Sequence, residues 1–293
     1  MDIAAANSGP SKTHRDENFP VASHLIHPRH RGTILSFYRF ARSADDVADA
    51  PTLTESEKLA GLDRLEETLI GGSDAAPDAL PLRAALAERS LAPTHALDLL
   101  TAFRMDVTKL RYRDWDDLIH YCTYSAMPVG RFVLDVHGES SATWPASDAL
   151  CAALQVINHL QDCAADYRDL DRVYIPLDAF ARHGAEVADL AAPKASPALR
   201  ACLRDLATRT ARLLGDAQPF ASQITDLRLA LEVAVIQKLA KKLIRTLMRR
   251  DPLSERVHLS KAGFGVIGIA AATEEMLRRL TRAGSPYRKA QDA

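Results

Sequence analysis

Glycine is scarce in this chain, with thirteen in 293 residues, and strict alternation of apolar and polar side chains is nearly absent. Together these absences argue against sheets and turn-rich β architecture, and the abundance of alanine and leucine points to helix almost throughout. Cysteine is sparse too. Cys122, Cys151, Cys163 and Cys202 are scattered and form no CxxC pair. A disulfide scaffold is thereby excluded, and reduced core thiols of a cytosolic protein are expected. An excess of either charge is also missing: 37 basic against 38 acidic residues leave a net charge of -1. That balance removes the electrostatic case for nucleic acid, and no long basic stretch restores it locally. The longest apolar run, residues 262–272, is too short to span a bilayer and reads as a buried helix segment. Residues 1–17 are small and polar without a signal-peptide pattern, so they are expected to be a disordered tail. A soluble, cytoplasmic protein follows, with peripheral contact at the inner face of a membrane left open.

The remaining chain is long enough for one substantial core. Helices are predicted at about 29–50, ended by Pro51, and at about 55–70, stopped by Gly71-Gly72. Others are predicted at 80–89 and at 94–110, the latter with Thr94 as its N-cap, and from a cap at Asp114 through His137. A further helix runs from Ser147 to Leu170, and three more fit 198–215, 226–250 and 255–283. The stretch 183–197 reads as loop with at most a turn of helix. Lys238, Lys241, Lys242, Arg245, Arg249 and Arg250 are expected on a solvated face and at a helix C-terminus, where cations suit the dipole. With no dividing linker, the organisation is an all-α single domain over 18–284 and a flexible tail over 285–293.

What is present and unusual is acidic. Asp45/Asp49 and Asp162/Asp166 are each four residues apart on helices that otherwise read as apolar, so each pair points from one face. Like charges at that spacing oppose an exposed helix by only about 0.2–0.5 kcal/mol, whereas burial without a partner costs several kcal/mol per ion. A cation between the pairs is the expected solution; solvated surface carboxylates are the bland alternative. Each pair belongs to a longer polar ribbon. Tyr38, Arg42, Asp45 and Asp49 fall at i, i+4, i+7 and i+11, and Gln155, Asn158, Asp162 and Asp166 at i, i+3, i+7 and i+11. Flanked by apolar residues, such ribbons should face a cavity. The chemistry that uses two facing carboxylate clusters is ionisation of a diphosphate, with Mg²⁺ bridging carboxylates and phosphate oxygens and neutralising the leaving group.

The segments Tyr38 to Asp49, Tyr121 to Gly130, and Gln155 to Asp166 followed by Asp171 to Pro176 resemble, in the same order, motifs of the squalene/phytoene synthase family. The resemblance covers about residues 18–280. It implies an isoprenoid synthase helical bundle around a central prenyl-binding cavity, with Mg²⁺ as cofactor. The opening Glu17 to Ser23 is similar to the bacterial branch, in hopanoid gene sets, that takes presqualene diphosphate and water to hydroxysqualene. Most condensing members carry arginine before the first aspartate of the second motif, where this chain has Gln161. Replacing a fixed cation by a neutral amide should change the charge balance beside the diphosphate. The implied enzyme is a carbon–oxygen lyase of squalene and hopanoid biosynthesis, coupled to a presqualene diphosphate synthase and a hydroxysqualene reductase. The alternatives are a head-to-head condensing prenyltransferase, making presqualene diphosphate, phytoene or dehydrosqualene, and a non-catalytic assembly protein of the same fold.

The resemblance also implies roles. Asp45, Asp49, Asp162 and Asp166 would ligate Mg²⁺, with Asn158 as a further oxygen ligand, and Asp46 points elsewhere by about 100° of helix. Arg42 and Arg172 would grip diphosphate oxygens. Tyr38, Tyr124 and Tyr174 would offer hydroxyls or ring faces to the diphosphate or a carbocation. Gln155 would orient the ribbon or a water, Gln161 would tune the diphosphate site, and Phe19 would line the prenyl channel. His24, His27 and His30, by contrast, read as solvated imidazoles at a helix entry, and Asp116-Asp117 as helix-start acids.

Overall fold

The computed structural model describes residues 26–258, 267–268, 270–276 and 278–279. Phe19, both expected tails and most of the 262–272 apolar run lie outside these residues, as does much of the helix expected over 255–283. The described residues from 267 on are helical, whereas 255–258 are not. Eleven further α-helices are bounded within the described residues. They are α1 (Pro28–Asp49), α2 (Glu55–Leu69), α3 (Leu80–Arg89), α4 (Thr94–Thr108), α5 (Trp115–Ser125), α6 (Met127–His137), α7 (Trp144–Leu170), α8 (Leu177–His183), α9 (Pro197–Asp216), α10 (Phe220–Gln223) and α11 (Leu227–Leu247). Among the described residues the only β pairing is one parallel bridge, Arg111 to Val173, and no helix is long and apolar enough to cross a membrane.

Local chemistry explains most boundaries. Thr54 and Glu57 form a reciprocal capping box at the start of α2. Asp114 and Asp226 cap α5 and α11 through side-chain oxygens. Gly138 and Gly184 adopt left-handed backbone past α6 and α8. Three expectations need correction. The single helix expected from Asp114 to His137 is two, because Pro128 sits at the N-terminal turn of α6 and breaks the ladder after Ser125. Thr94 is the first helical residue rather than the cap, a position taken by Pro93. The histidine run also differs from its expected solvated state at His30, while His24 lies outside the described residues. His27 caps α1 through Nδ1, but His30 is buried and its ring lies 4.2 Å from that of His137.

The interior consists of two large hydrophobic clusters. One joins α1 to α4 and α6 through Ile34, Phe37, Phe40, Leu62, Leu82 and Phe132, with Phe37 and Phe132 stacked at 3.9 Å. The other joins α5 to α9 and α11 around Tyr112, Ile157, Leu160, Leu199 and Leu243. Helices α4 and α6 contribute to both, and α7, at 27 residues, is the longest element. After α7 the chain turns sharply at Asp171, whose φ of 50° is uncommon for a residue with a side chain. Arg111 holds the turn, with Nη2 2.5 Å from Asp171 Oδ1. The following segment pairs with 110–113, Val173 N–H donating to the Leu110 carbonyl at 2.9 Å and Leu177 N–H to that of Tyr112. Arg172 and Tyr174 are thereby fixed against the end of α4.

Helices α6 and α7 approach closely at Gly130, where an added Cβ would lie 2.5 Å from Ser147 Oγ and 2.6 Å from Cys151 Sγ. Gly130→Ala should therefore destabilise the fold by about 1–3 kcal/mol through overpacking, lowering Tm by roughly 2–4 °C for each kcal/mol. Calorimetry showing an unchanged Tm would mean that the two helices can separate freely.

Candidate active site

Where the two clusters meet, a cavity of about 380 Å³ opens between α1, α4, α5 and α7. Helix α1 supplies Arg42, Asp45 and Asp49 to its wall, and α7 faces them with Gln155, Asn158, Asp162 and Asp166. Both acidic pairs thus look into one space, as the ribbon spacing requires. Arg172 and Tyr174 close the end near the Asp171 turn, and Leu99, Ala102 and Phe103 supply an apolar flank from α4.

Positive groups already engage the first pair. Arg42 Nη1 lies 2.8 Å from Asp45 Oδ2, and its Nη2 lies 2.8 Å from Asp46 Oδ1. Arg172 Nη2 lies 2.9 Å from Asp49 Oδ1. Asp45 keeps 36% of its side-chain surface facing the opening, yet burial by the walls, then Asp49, push its pKa up to about 7, against Arg42. An acid under that strain favours either a proton or a bound cation. Several buried polar atoms around the cavity lack a hydrogen-bond partner in the protein: Arg42 Nε, Arg172 Nε, Asp49 Oδ1 and His159 Nε2. For Asp49 the Arg172 contact is therefore ionic rather than a well-aligned hydrogen bond. A polar ligand seated in the cavity would satisfy clustered orphans of this kind. Two guanidinium N–H groups suit phosphate oxygens, and the all-oxygen set of Asp49, Asp45, Asn158, Asp162 and Asp166 suits Mg²⁺. Among the described residues no three acidic, imidazole or thiol side chains converge closely enough to hold an ion by themselves. A metal bound here would share its coordination with substrate oxygens.

Other expected residues stand apart. Tyr38 and Asp46 line a separate cleft on the outer side of Arg42, with Arg39, Ser43 and Asp78. Tyr124 is part-buried, packed against the second cluster and edge-on to His120 at 5.4 Å; its neighbour one turn back, Tyr121, reaches the cavity instead. Gln161 is buried, and its Nε2 donates to the Val257 carbonyl at 2.7 Å. It braces α7 against the chain beyond α11 and does not line the cavity, so its amide is not placed to balance charge beside a diphosphate. Tyr174 lines the cavity, but its hydroxyl donates to Asp106 Oδ1 at 2.7 Å, and its ring stacks on His159 at 3.6 Å.

Sequence reasoning overlooked Asp106, Tyr121, Ser125 and His159, all of which line the cavity. Asp106 is 6% exposed and accepts from both Tyr174 and Tyr121, the latter at 2.8 Å. Burial pushes its pKa up to about 6, opposed by Arg172 and the two hydroxyls. Burial and then Asp106 raise both tyrosines well above their ordinary value, so they remain protonated donors. His159 is pushed down to about 3 by burial and then Arg172, and stays neutral. A signal for Asp106 existed. Leu99, Ala102 and Asp106 fall at i, i+3 and i+7 on α4, a lone acid on an apolar stripe.

A helical bundle whose facing carboxylate pairs and arginines share one buried cavity defines an isoprenoid-synthase class of enzyme, and solved structures of that fold match it. A dehydrosqualene synthase in complex with a ligand superimposes with a TM-score of 0.73 at 20% identity, covering 88% of this chain and 91% of that one. The chain belongs to the squalene/phytoene synthase family, whose model matches residues 12–263. It is 60% identical to a hydroxysqualene synthase of Rhodopseudomonas palustris, over 94% of each chain. To one of Sinorhizobium fredii it is 54% identical, over 98% of this chain and 99% of that one. A squalene synthase from Alicyclobacillus acidocaldarius has a TM-score of 0.68 at 31% identity, covering 78% and 87%.

Asp106 makes stability depend on pH in a definite sense. Its folded pKa of about 6 lies above the ordinary 3.8, so its contribution is full below about pH 4 and is lost as pH rises through about 6. Asp106→Asn should remove that loss. The stability of the wild type relative to Asp106→Asn, from urea melts at pH 4 and pH 7, should fall across the interval. A constant difference would show that the carboxyl is not strained.

Proposed function

We propose that the chain converts presqualene diphosphate and water to hydroxysqualene and diphosphate, a Mg²⁺-dependent carbon–oxygen lyase reaction of bacterial squalene and hopanoid biosynthesis. The convergence of Asp45/Asp49 and Asp162/Asp166 with Arg42 and Arg172 in one cavity carries the diphosphate part of this reading. The near-full-length similarity to hydroxysqualene synthases supports the hydration part. Mg²⁺, held by Asp45, Asp49, Asn158, Asp162 and Asp166, would supply the charge neutralisation that makes diphosphate a leaving group.

The chain's own residues do the rest. Arg42 and Arg172 bind diphosphate oxygens through N–H groups that lack protein partners. Leu99, Ala102 and Phe103 flank the carbocation formed when the C–O bond breaks and limit the water that reaches it. The Tyr121 and Phe103 rings offer negative faces to that cation. Diphosphate leaves with the bonding electron pair, and one admitted water forms the new C–O bond to the cation and gives up a proton to the released diphosphate. Gln155, on the α7 wall, is suited to orient that water. The catalytic unit is a single domain spanning about residues 18–284, with its active site open to the cytoplasm or the inner membrane face. An enzyme supplying presqualene diphosphate and a reductase consuming the alcohol are the expected partners.

Incubation with Mg²⁺ and labelled presqualene diphosphate, without NADPH, should give the alcohol, and chelation should stop it. Asp162→Asn should lower kcat/KM by about 100-fold or more, since even residues behind metal ligands cost about 10–100-fold. Product formed from farnesyl diphosphate alone would overturn hydration in favour of condensation.

A further inference from the structure

We propose that Asp106, which no recognised motif contains, is a positioning residue: the buried counter-charge that holds Arg172 ready for diphosphate while Asp49 is given up to a cation. This deepens the diphosphate reading above and rests on it.

The geometry is a directional chain. Arg172 Nη1 lies 3.4 Å from Tyr174 Oη and donates to it, and the Tyr174 hydroxyl donates to Asp106 Oδ1 at 2.7 Å. The other Asp106 oxygen accepts from Tyr121 at 2.8 Å. Every donor points toward the carboxylate, so the bonds polarise one another and the negative charge is felt at the guanidinium. Arg172, 6% exposed, therefore stands between two acids. Its Nη2 faces Asp49 at 2.9 Å, its Nη1 leads to Asp106 through Tyr174, and its Nε has no partner in the protein.

That arrangement resolves a conflict in the site. Asp49 cannot lend its full charge to a cation and to Arg172 at the same time, so a bound cation weakens its hold on the guanidinium. A buried guanidinium that lost its only anion would carry an unpaired charge, which is strongly disfavoured. With Asp106 behind it, Arg172 keeps one counter-ion when Asp49 turns to a metal, and its Nε and freed Nη2 can address diphosphate oxygens. Without Asp106, neutralisation of Arg172 would fall to its direct pair with Asp49, and that pair would resist opening. The three elements that carry the chain are fixed independently. Asp106 lies on α4, Tyr121 on α5, and Arg172 and Tyr174 lie on the segment pinned by the Asp171 turn. The network is thus set by the fold before any ligand arrives.

The test uses binding of inorganic diphosphate with Mg²⁺, read by titration calorimetry on the full chain, beside turnover of presqualene diphosphate. Asp106→Asn keeps the shape and most hydrogen bonding but removes the charge. It should weaken diphosphate binding by about 10–100-fold with Tm at pH 7 unchanged or raised. On an Arg172→Ala background the same substitution should have no further effect, because the residue it positions is gone. Tyr174→Phe, which cuts the chain and keeps the charge, should weaken binding in the same direction and serves if Asp106→Asn does not fold. Unchanged or tighter binding in Asp106→Asn would overturn the proposal, since a simple field effect of removing a negative charge favours an anion. Additive losses with Arg172→Ala would overturn it too, as the mark of a purely structural role. Diphosphate coupling that holds while the product comes from farnesyl diphosphate would sink only the hydration reading. A wild type that does not bind diphosphate with Mg²⁺ removes the ground for both.

Discussion

The site depends on one constraint: charge withdrawn from water must be compensated, and here the compensation is shared among more groups than it needs. Arg172 lies between Asp49 and the Tyr174–Asp106 chain, and Arg42 is split between Asp45 and Asp46. In each case an arginine has more than one acid within reach. Buried ion pairs are poor sources of stability because desolvation offsets attraction. Retaining part-buried pairs beside a single cavity makes sense where charge must be rearranged when a highly charged ligand enters. The raised pKa values of Asp45 and Asp106, near 7 and 6, are the same strain seen from the side of the proton.

Apolar packing decides where that strain can be borne. Two hydrophobic clusters, one built on α1 to α4 and one on α5 to α11, meet along α4 and α6, and the cavity lies at their seam. A seam tolerates polar side chains that the middle of either cluster would not. Helix α7 is long enough to pack against the second cluster with one face, through Val156, Ile157 and Leu160, while offering Gln155 to Asp166 to the seam with another. The close approach at Gly130 and the Arg111 clamp on Asp171 fix the register of this helix and the exit of the chain from it. Small shifts in either would move carboxylates and arginine relative to each other.

Much of this was legible beforehand. The Asp45/Asp49 and Asp162/Asp166 pairs, with Arg42, Gln155 and Asn158, are legible from helical spacing, whereas Tyr38, at position i of the first ribbon, lines the neighbouring cleft instead. Many helix ends followed from prolines, glycines and caps, but Thr94 is helical and not a cap, α7 begins at Trp144 where Ser147 is expected, and Pro128, inside an apolar run, hides the break before α6. The misplaced residues have a common cause. Tyr124 and Gln161 owe their expected roles to their place in a motif, and a motif does not say which side of a helix its members take. Tyr121 and Tyr124 are three apart and differ by about 60° around α5, and Tyr121 is the one that lines the cavity. Gln161 precedes Asp162 by one residue, which is about 100° of rotation, and that turn sends it to Val257.

By itself, then, the sequence determined an all-helical chain, two acidic ribbons and the chemistry that such ribbons serve, because periodicity and residue type are local properties. Only the tertiary structure decided which groups lie behind the ribbons. Asp106, Tyr121 and His159 come from three helices, and Arg172 and Tyr174 from the turn after α7. Their partnership is invisible along the chain, since Asp106 and Tyr174 are 68 residues apart and meet at 2.7 Å. Burial is what gives that meeting its force. A carboxylate on the surface would be solvated and indifferent to a tyrosine, whereas one enclosed beneath a cavity must bind every donor within reach.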